Sequence, residues 1–138
     1  MAPAAKDTLI EFFTQTGTQP SDYDLILTGD LGKLGKEILI ELMQKDGYDL
    51  STNCADCGAS LYYEEQQTYQ GGSGPACSAL VFSSIVLSNL KSKKIGKMLF
   101  VGTGALMSPT TSFQGDSIPA IAHLVEINVT ENMSDDIC

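Results

Sequence analysis

The chain has 138 residues, 43% of them hydrophobic, which is enough for one domain with a single core. Its 8 basic and 17 acidic side chains give a net charge of -9 at pH 7, which argues against nucleic acid or anionic lipid as a partner. No apolar run is long enough to span a membrane, and the first residues lack a signal-peptide pattern, which predicts an intracellular protein.

The first part of the chain predicts a helix, a strand and a second helix. Apolar residues recur at helical spacing after Pro3 until Gly17 stops the first helix. The apolar run from Tyr23 to Thr28 lies between turn signals and predicts a buried strand. Asp30 is placed to cap the second helix, which ends near Gly47. The expected buried stripe of this helix is Leu31, Leu34, Ile38 and Leu42.

The segment from Tyr48 to Gln70 is irregular and polar, which predicts a long connection that ends at the turn Gly71 to Pro75. The following residues, Ala76 to Leu90, predict a helix with apolar or small residues on every side. A single sheet cannot cover every side of a helix. We therefore expect a second body to cover this helix, either another half of the protein or a homodimer partner.

The last part of the chain predicts two strands. The first is Lys97 to Val101, ended tightly by Gly102-Thr103-Gly104, and a loop then continues to Pro119. The second is Ala120 to Val129, and we expect it to pair antiparallel with the first. The order of elements predicts an α/β fold with a mixed sheet and helices on its faces.

Two glycine-rich turns were compared with anion-binding motifs. Gly29 to Lys36 has the strand, turn and helix order of a phosphate loop, but the glycine spacing is one residue too long and Glu37 replaces the magnesium-binding hydroxyl. The Gly71 to Pro75 turn opens a helix, where backbone N–H groups suit a carboxylate or phosphate. An equally weighted alternative is that these glycines, like Gly102 and Gly104, only allow close approach of a neighbouring strand.

No catalytic or metal-binding set is predicted. The single histidine, His123, alternates with Ile121 and Val125, which favours a hydrogen-bonded core position. Cys54 and Cys57 have the spacing of a metal or redox pair, but no second pair accompanies them, so reduced structural thiols are favoured. No nucleophile stands beside a plausible base.

Six blocks of sequence stand in a specific order. They are Met1-Ala2-Pro3-Ala4-Ala5, Tyr23-Asp24-Leu25-Ile26-Leu27-Thr28-Gly29-Asp30-Leu31, Asp56-Cys57-Gly58, Gly71-Gly72-Ser73-Gly74, Thr103-Gly104-Ala105-Leu106-Met107-Ser108-Pro109-Thr110 and Ser117-Ile118-Pro119-Ala120-Ile121-Ala122-His123. Together they resemble the carboxyl-terminal half of the stage V sporulation protein AD family, which is similar to the β-ketoacyl synthase III branch of the thiolase superfamily. The resemblance implies a thiolase-like half-domain over residues 1-130 and an acidic tail over 131-138. It also implies that an amino-terminal half covers the helix from Ala76 to Leu90.

The resemblance implies binding without catalysis. Condensing enzymes of this superfamily use a histidine and an asparagine from this half, and here Gly29 or Asp30 and then Gly72 take those places. The implied function is to bind dipicolinic acid (pyridine-2,6-dicarboxylic acid), or its calcium chelate, for uptake into the developing spore. No cofactor is expected beyond calcium in the chelate. The expected ligand-binding residues are Gly29, Asp30, Gly71, Gly72, Ser73 and Gly104, with Tyr62, Tyr63 or Tyr69 stacking on the pyridine ring.

Two alternative functions follow from the same resemblance. One is a degenerate condensing enzyme half that binds an acyl thioester. The other is an assembly subunit that docks on other stage V sporulation membrane proteins through the first helix, with Phe12 and Phe13 as the contact. The expected location is the cytoplasmic face of the spore or forespore membrane, as a peripheral protein.

Overall fold

The computed structural model describes residues 1–106 and 108–130, and the predicted acidic tail at 131–138 lies outside the described residues. The helices and strands are, in chain order, α1 (Ala2–Thr16), β1 (Leu25–Thr28), α2 (Gly32–Lys45), β2 (Cys54–Asp56), α3 (Cys57–Ser60), α4 (Cys77–Val81), α5 (Leu87–Lys91), β3 (Lys97–Ala105), α6 (Pro109–Gln114) and β4 (Ala120–Asn128). Short 3-10 helices lie at Pro20–Asp22 and Glu64–Gln66, and a π-helical turn at Phe82–Val86 joins α4 to α5. We call α4, this turn and α5 together the π-bulged helix. Within the described residues, no helix combines the length and the hydrophobicity that a membrane crossing requires.

The four strands form one mixed sheet in the order β2-β1-β3-β4. Strand β1 is parallel to both β2 and β3, whereas β4 is antiparallel to β3, which confirms the α/β fold and the antiparallel final pair. The predicted end of β3 was wrong, because Gly102 and Gly104 pair with β4 and the strand continues to Ala105. The loop predicted before Pro119 also contains α6.

Strand β2 is an element that the sequence pattern did not predict. It has only three residues and lies in the segment interpreted as a long connection. Its register places Cys54 beside Ile26 and Asp56 beside Thr28. A three-residue strand is too short to show an alternating pattern, and its hydrogen bonds to β1 define it instead.

One face of the sheet is covered by α1 and α2. Helix α1 ends at Gly17, whose φ of 68° is left-handed and whose N–H donates to the Phe13 carbonyl. The core on this side consists of Ala2, Ala5, Leu9, Phe13, Tyr23, Ile26, Leu39, Met43, Leu50, Leu99, Val101 and Ala122. Burial of each large apolar side chain stabilises the fold by about 1.5–3 kcal/mol.

The buried stripe predicted for α2 was wrong at Leu34 and Ile38, whereas Leu31 packs partly buried against the core. Leu34 and Ile38 are 55% and 41% exposed, whereas Leu39 and Met43 are fully buried in the core shared with α1. Both stripes have helical spacing, so the pattern alone could not separate them. The face with Gly32 turns inward because Asp56 holds the first residues of the helix.

The opposite face of the sheet is partly covered by the π-bulged helix. Cys77, Val81, Val86 and Leu90 are buried against Leu27 and Met98. The other side of the same helix exposes Leu80, Ile85 and Leu87 by 36–55%. The helix is therefore present as predicted and buried on one side by this chain. Cover for its second side remains a prediction.

His123 does not occupy the predicted core position. It lies on the same uncovered sheet face as Ile121 and Val125 and is exposed. Its neighbours Ala122 and Leu124 point to the opposite face and pack with the α1 side of the core. The alternation along β4 was therefore assigned correctly, but the face with His123 is not covered within the described residues.

Candidate functional site

A cavity with a mixed polar and apolar lining lies at the carboxyl ends of the parallel strands β1 and β3. Its volume is about 470 Å³, and its lining residues are Met1, Asp30, Ser73, Gly74, Pro75, Ser78, Thr103, Gly104 and Ala105. In open α/β sheets, this edge is where ligands bind, because loops from neighbouring strands converge there. The cavity brings together three predicted site residues, Asp30, Ser73 and Gly104, from three separate segments.

Asp30 links these three segments by hydrogen bonds. Its Oδ2 atom accepts from Ser73 Oγ at 2.8 Å and from the Gly74 N–H at 3.1 Å. Its Oδ1 atom accepts from Thr103 Oγ1 at 3.1 Å, and the Asp30 N–H donates back to the same hydroxyl at 3.0 Å. The β1–α2 turn, the glycine-rich turn and β3 are thus held at fixed positions around the cavity.

Asp56, and not Asp30, holds the start of α2. Its side chain is 1% exposed, and its carboxylate accepts four hydrogen bonds, from Thr28 Oγ1 at 2.6 Å and from the N–H groups of Leu31, Gly32 and Ala59 at 2.9 Å each. An anion is favourable at a helix N-terminus, and here the chain itself supplies that anion. The predicted capping role of Asp30 was therefore wrong. The sequence signal for Asp56 was its place directly before α3, which it also caps.

The backbone N–H groups of four predicted site residues already have acceptors. The N–H of Gly29 donates to the Val101 carbonyl, and that of Asp30 donates to Thr103 Oγ1, both at 3.0 Å. The N–H of Gly71 donates to the Thr68 carbonyl at 3.0 Å, and that of Gly72 donates to the Gly58 carbonyl at 2.8 Å. These amides are therefore engaged within the chain rather than directed at a ligand carboxylate. Ligand binding by the predicted site residues stays a prediction. The side chains of Asp30 and Ser73, rather than these backbone amides, are the groups available to contact a ligand.

Gly71 and Gly72 pack against α3 instead of lining the cavity. Gly71 has a φ of 104°, and a Cβ there would collide with the Gly58 carbonyl. A Cβ on Gly72 would collide with the side chain of Leu61. This geometry fits the alternative in which the glycines allow close approach of two segments. Gly29 is likewise buried, where an added Cβ would lie 2.8 Å from Thr103 Oγ1.

The three tyrosines proposed to stack on a pyridine ring lie elsewhere. Tyr62, Tyr63 and Tyr69 line a second cavity of about 400 Å³ together with Lys33, and it shares no lining residue with the first. The structure therefore does not bring these rings to Asp30, which corrects that hypothesis. The connection before the glycine-rich turn forms a separate surface.

The three described cysteines, Cys54, Cys57 and Cys77, are free thiols, as predicted. Burial, followed by the charge of Asp56, raises the pKa of Cys57 to about 12, and burial raises the pKa of Cys54 to about 11. Burial and then the charge of Asp30 raise the pKa of Cys77. Thiols with raised pKa values stay protonated and are poor nucleophiles. Among the residues with described positions, no cluster of three or more His, Cys, Asp or Glu side chains could hold a metal ion.

The fold and the cavity together define the class of protein, an α/β protein with a cleft at the carboxyl edge of a mixed sheet. The sequence profile of the family described as "Stage V sporulation protein AD (SpoVAD)" matches residues 1–128. Stage V sporulation protein AD of Bacillus subtilis (strain 168) is 46% identical over 123 residues, which are 89% of this chain and 36% of that protein. The chain belongs to the stage V sporulation protein AD family and spans about a third of this relative's length.

Proposed function

We propose that this chain supplies the ligand cavity of a non-catalytic protein of spore formation, and that the ligand is dipicolinic acid bound as its calcium chelate. The cavity between Asp30, Ser73 and Thr103 carries this proposal. Its volume of about 470 Å³ lies within the range of about 300–1,000 Å³ that is usual for small-molecule sites. Membership in the family, together with the name of its Bacillus subtilis relative, supports the role in sporulation.

The charge of the cavity favours the chelate over the free acid. Asp30 has the only ionisable side chain among the described lining residues. Its carboxylate would repel the dianion of free dipicolinic acid, but it is an oxygen ligand of the type that calcium accepts. Oδ1 accepts only the Thr103 hydroxyl among the described groups, so it has capacity for a further partner. The Ser78 hydroxyl can donate to a ligand carboxylate. The Ser73 hydroxyl donates its one hydrogen to Asp30 and can offer its oxygen to calcium.

The same lining supports binding without turnover. The described lining residues include no histidine, cysteine or lysine that would act as a base or nucleophile. The Ser73 hydroxyl donates a hydrogen bond to Asp30 at 2.8 Å, and carboxylates are weak bases for activating a hydroxyl. The buried thiols of Cys57 and Cys77 have raised pKa values and stay protonated.

Isothermal titration calorimetry tests the proposal on a full-length family protein that contains these residues. Calcium dipicolinate should bind, while dipicolinate with excess chelator and pyridine-2-carboxylate should bind at least about tenfold more weakly, since one charge-assisted contact contributes about 1.5–3 kcal/mol. Ser73→Ala should weaken binding of the chelate about fivefold, because the Asp30 carboxylate loses one of the hydrogen bonds that orient it. Asp30→Asn should reduce the preference for the calcium form.

Ser92→Ala is the matched control, because Ser92 is an exposed serine after the π-bulged helix and does not line the cavity. Its binding should equal that of the unchanged protein. Equal binding of the monocarboxylate, or binding that neither Ser73→Ala nor Asp30→Asn alters, would contradict the proposal. Hydrolysis of an acyl thioester that disappears with Ser73→Ala would instead favour the degenerate condensing enzyme.

A further inference from the structure

The loop between α3 and the glycine-rich turn exposes three tyrosine side chains, two of them almost completely. Tyr63 and Tyr69 are 79% and 86% exposed, and Tyr62 is 43% exposed. All three line the cavity of about 400 Å³ that also includes Lys33 and Gln67. Tyrosine is enriched at binding surfaces, where its ring and hydroxyl both make contacts. We call this surface the tyrosine groove.

The backbone of the loop holds the groove in a defined shape. The Tyr63 N–H donates to Gln66 Oε1 at 2.9 Å, which closes the 3-10 helix. The Gln70 carbonyl and side chain accept from the N–H groups of Lys33 and Leu34, at 3.0 and 2.8 Å, which attaches the loop to α2. Rings presented from an ordered backbone lose less entropy when they bind a partner.

Two residues of the groove have an unusual backbone conformation. Gln67 and Tyr69 have φ angles of 52° and 51°, in the left-handed region that residues with side chains rarely adopt. Each such residue costs on the order of 1–3 kcal/mol, and strain of this kind concentrates at ligand clamps and other functional sites. Tyr69 has this strained backbone conformation and its ring is exposed. The conformational cost is therefore not offset by burial of the ring.

The charge of the groove selects the kind of partner. The segment from Leu61 to Gln70 contains Glu64 and Glu65 and no lysine or arginine. Lys33, the one cation among the described lining residues, already faces Glu64 at 3.8 Å. The whole chain, including these residues, has a net charge of -9. A partner with positive charge is therefore attracted, and an acidic one is repelled.

We propose that the tyrosine groove binds an extended, positively charged peptide segment of another protein. The volume suits a few residues of an extended chain, and aromatic-lined grooves bind such segments through ring contacts and hydrogen bonds to the backbone. The Gln67 side chain and the tyrosine hydroxyls supply these hydrogen bonds. The proposal is independent of the dipicolinate site, because the two cavities share no lining residue.

The test is a selection of random short peptides displayed on phage against a full-length family protein that contains these residues. Enriched peptides should be rich in lysine or arginine, and their affinity is then measured by fluorescence anisotropy. Combining Tyr63→Ala with Tyr69→Ala should weaken binding at least about tenfold, as expected for aromatic anchors of an interface. Glu64→Gln with Glu65→Gln should reduce both affinity and its dependence on salt.

The control variant is Phe113→Ala, because Phe113 is another highly exposed aromatic residue, at 91%, on the separate helix α6. It should leave peptide binding unchanged. The proposal is overturned if no peptide is enriched more strongly on the unchanged protein than on the double tyrosine variant. It is also overturned if the enriched peptides are acidic. It is also overturned if the double variant abolishes binding to a glycan array or dissociates a homodimer, since a sugar or a second copy would then be the occupant.

Discussion

Asp30 and Asp56 both lie near the start of α2 but have different surroundings. Asp56 is buried and accepts four hydrogen bonds within the chain, so its charge is used to hold the start of α2. Asp30 lies at the cavity surface and accepts from two hydroxyls and one N–H. At the residue scale, the structure thus separates a structural carboxylate from one that can meet a ligand.

Asp56→Ala should lower the free energy of unfolding by about 3 kcal/mol or more, because buried N–H donors lose a charged acceptor. Equilibrium unfolding in urea measures the change. The control is Glu37→Gln, which changes an exposed carboxylate on α2 and should alter stability by less than about 0.5 kcal/mol. Similar stability of the two variants would show that the Asp56 hydrogen bonds are not important for the fold.

The buried thiols predict a loss of stability at alkaline pH. The fold raises the pKa of Cys57 from 9.0 to about 12, so folding favours its protonated form. This contribution to the free energy of unfolding is complete below pH 9.0 and is lost as the pH rises from 9.0 towards 12. Urea unfolding across this window should show a smaller decline for Cys57→Ala than for the unchanged protein. Equal declines would contradict the prediction.

At the scale of elements, α2 shows how a neighbouring helix selects between two helical stripes. Leu34 and Ile38 form one stripe, and Leu39 and Met43 form the other, about one residue further round the helix. Asp56 holds Leu31 and Gly32, and α1 covers the face with Leu39. The second stripe is therefore buried, although both stripes are equally apolar in sequence.

Leu39→Ala and Leu34→Ala form a matched pair on α2. Leu39 is fully buried, so its truncation should cost about 2–5 kcal/mol of unfolding free energy. Leu34 is 55% exposed, and its truncation should cost less than about 0.5 kcal/mol. Thermal unfolding of both variants measures the two losses of unfolding free energy. A larger loss for Leu34→Ala than for Leu39→Ala would show that the buried face is the one predicted from sequence.

At the scale of the whole molecule, one face of the sheet is covered by α1 and α2, and the other is only partly covered by the π-bulged helix. We call the uncovered part the open face. Beside the π-bulged helix, Phe82, Phe100, Val125 and Ile127 line an apolar cavity of about 470 Å³. Leu80, Ile85, Ile121 and Val125 are each 54–55% exposed around it. Large exposed apolar patches mark contact surfaces. We expect a companion layer to cover this face, either a further part of a full-length protein or a second copy.

Leu80→Lys and Leu34→Lys test the companion layer, because both leucines are 55% exposed in this chain. In a full-length family protein, Leu80→Lys should lower the free energy of unfolding by about 3 kcal/mol, because a lysine would be buried without a partner. Leu34→Lys should have little effect. Unfolding in urea measures both, and equal, small effects would show that the open face stays in water.

The aromatic residues of α1 limit one alternative function. Phe13 is 2% exposed and stacks on Tyr48 at 5.3 Å between ring centroids, while Phe12 packs against Phe13 and Tyr23. These rings belong to the core on the α1 side of the sheet. Phe13 cannot contact a partner while α1 is folded, whereas Phe12 is only partly buried, so docking through α1 stays a prediction.

The sequence by itself determined the elements whose signals are local. Helix α1 lies between Pro3 and Gly17, β1 in the apolar run ending at Thr28, and β4 in the alternation after Pro119, because propensity, turn residues and side-chain period act over a few residues. The resemblance in six blocks also identified the family, since their order extends over almost the whole matched range.

Only the tertiary structure decided which groups meet across long sequence separations. Asp56 reaches Leu31 over 25 positions, and Thr103 reaches Asp30 over 73, and no local pattern records such a contact. The same holds for β2, which depends on pairing with β1, and for the continuation of β3 through Gly102, which depends on β4. Hydrogen bonds to distant partners satisfy buried polar groups, so they override local preferences where the two disagree.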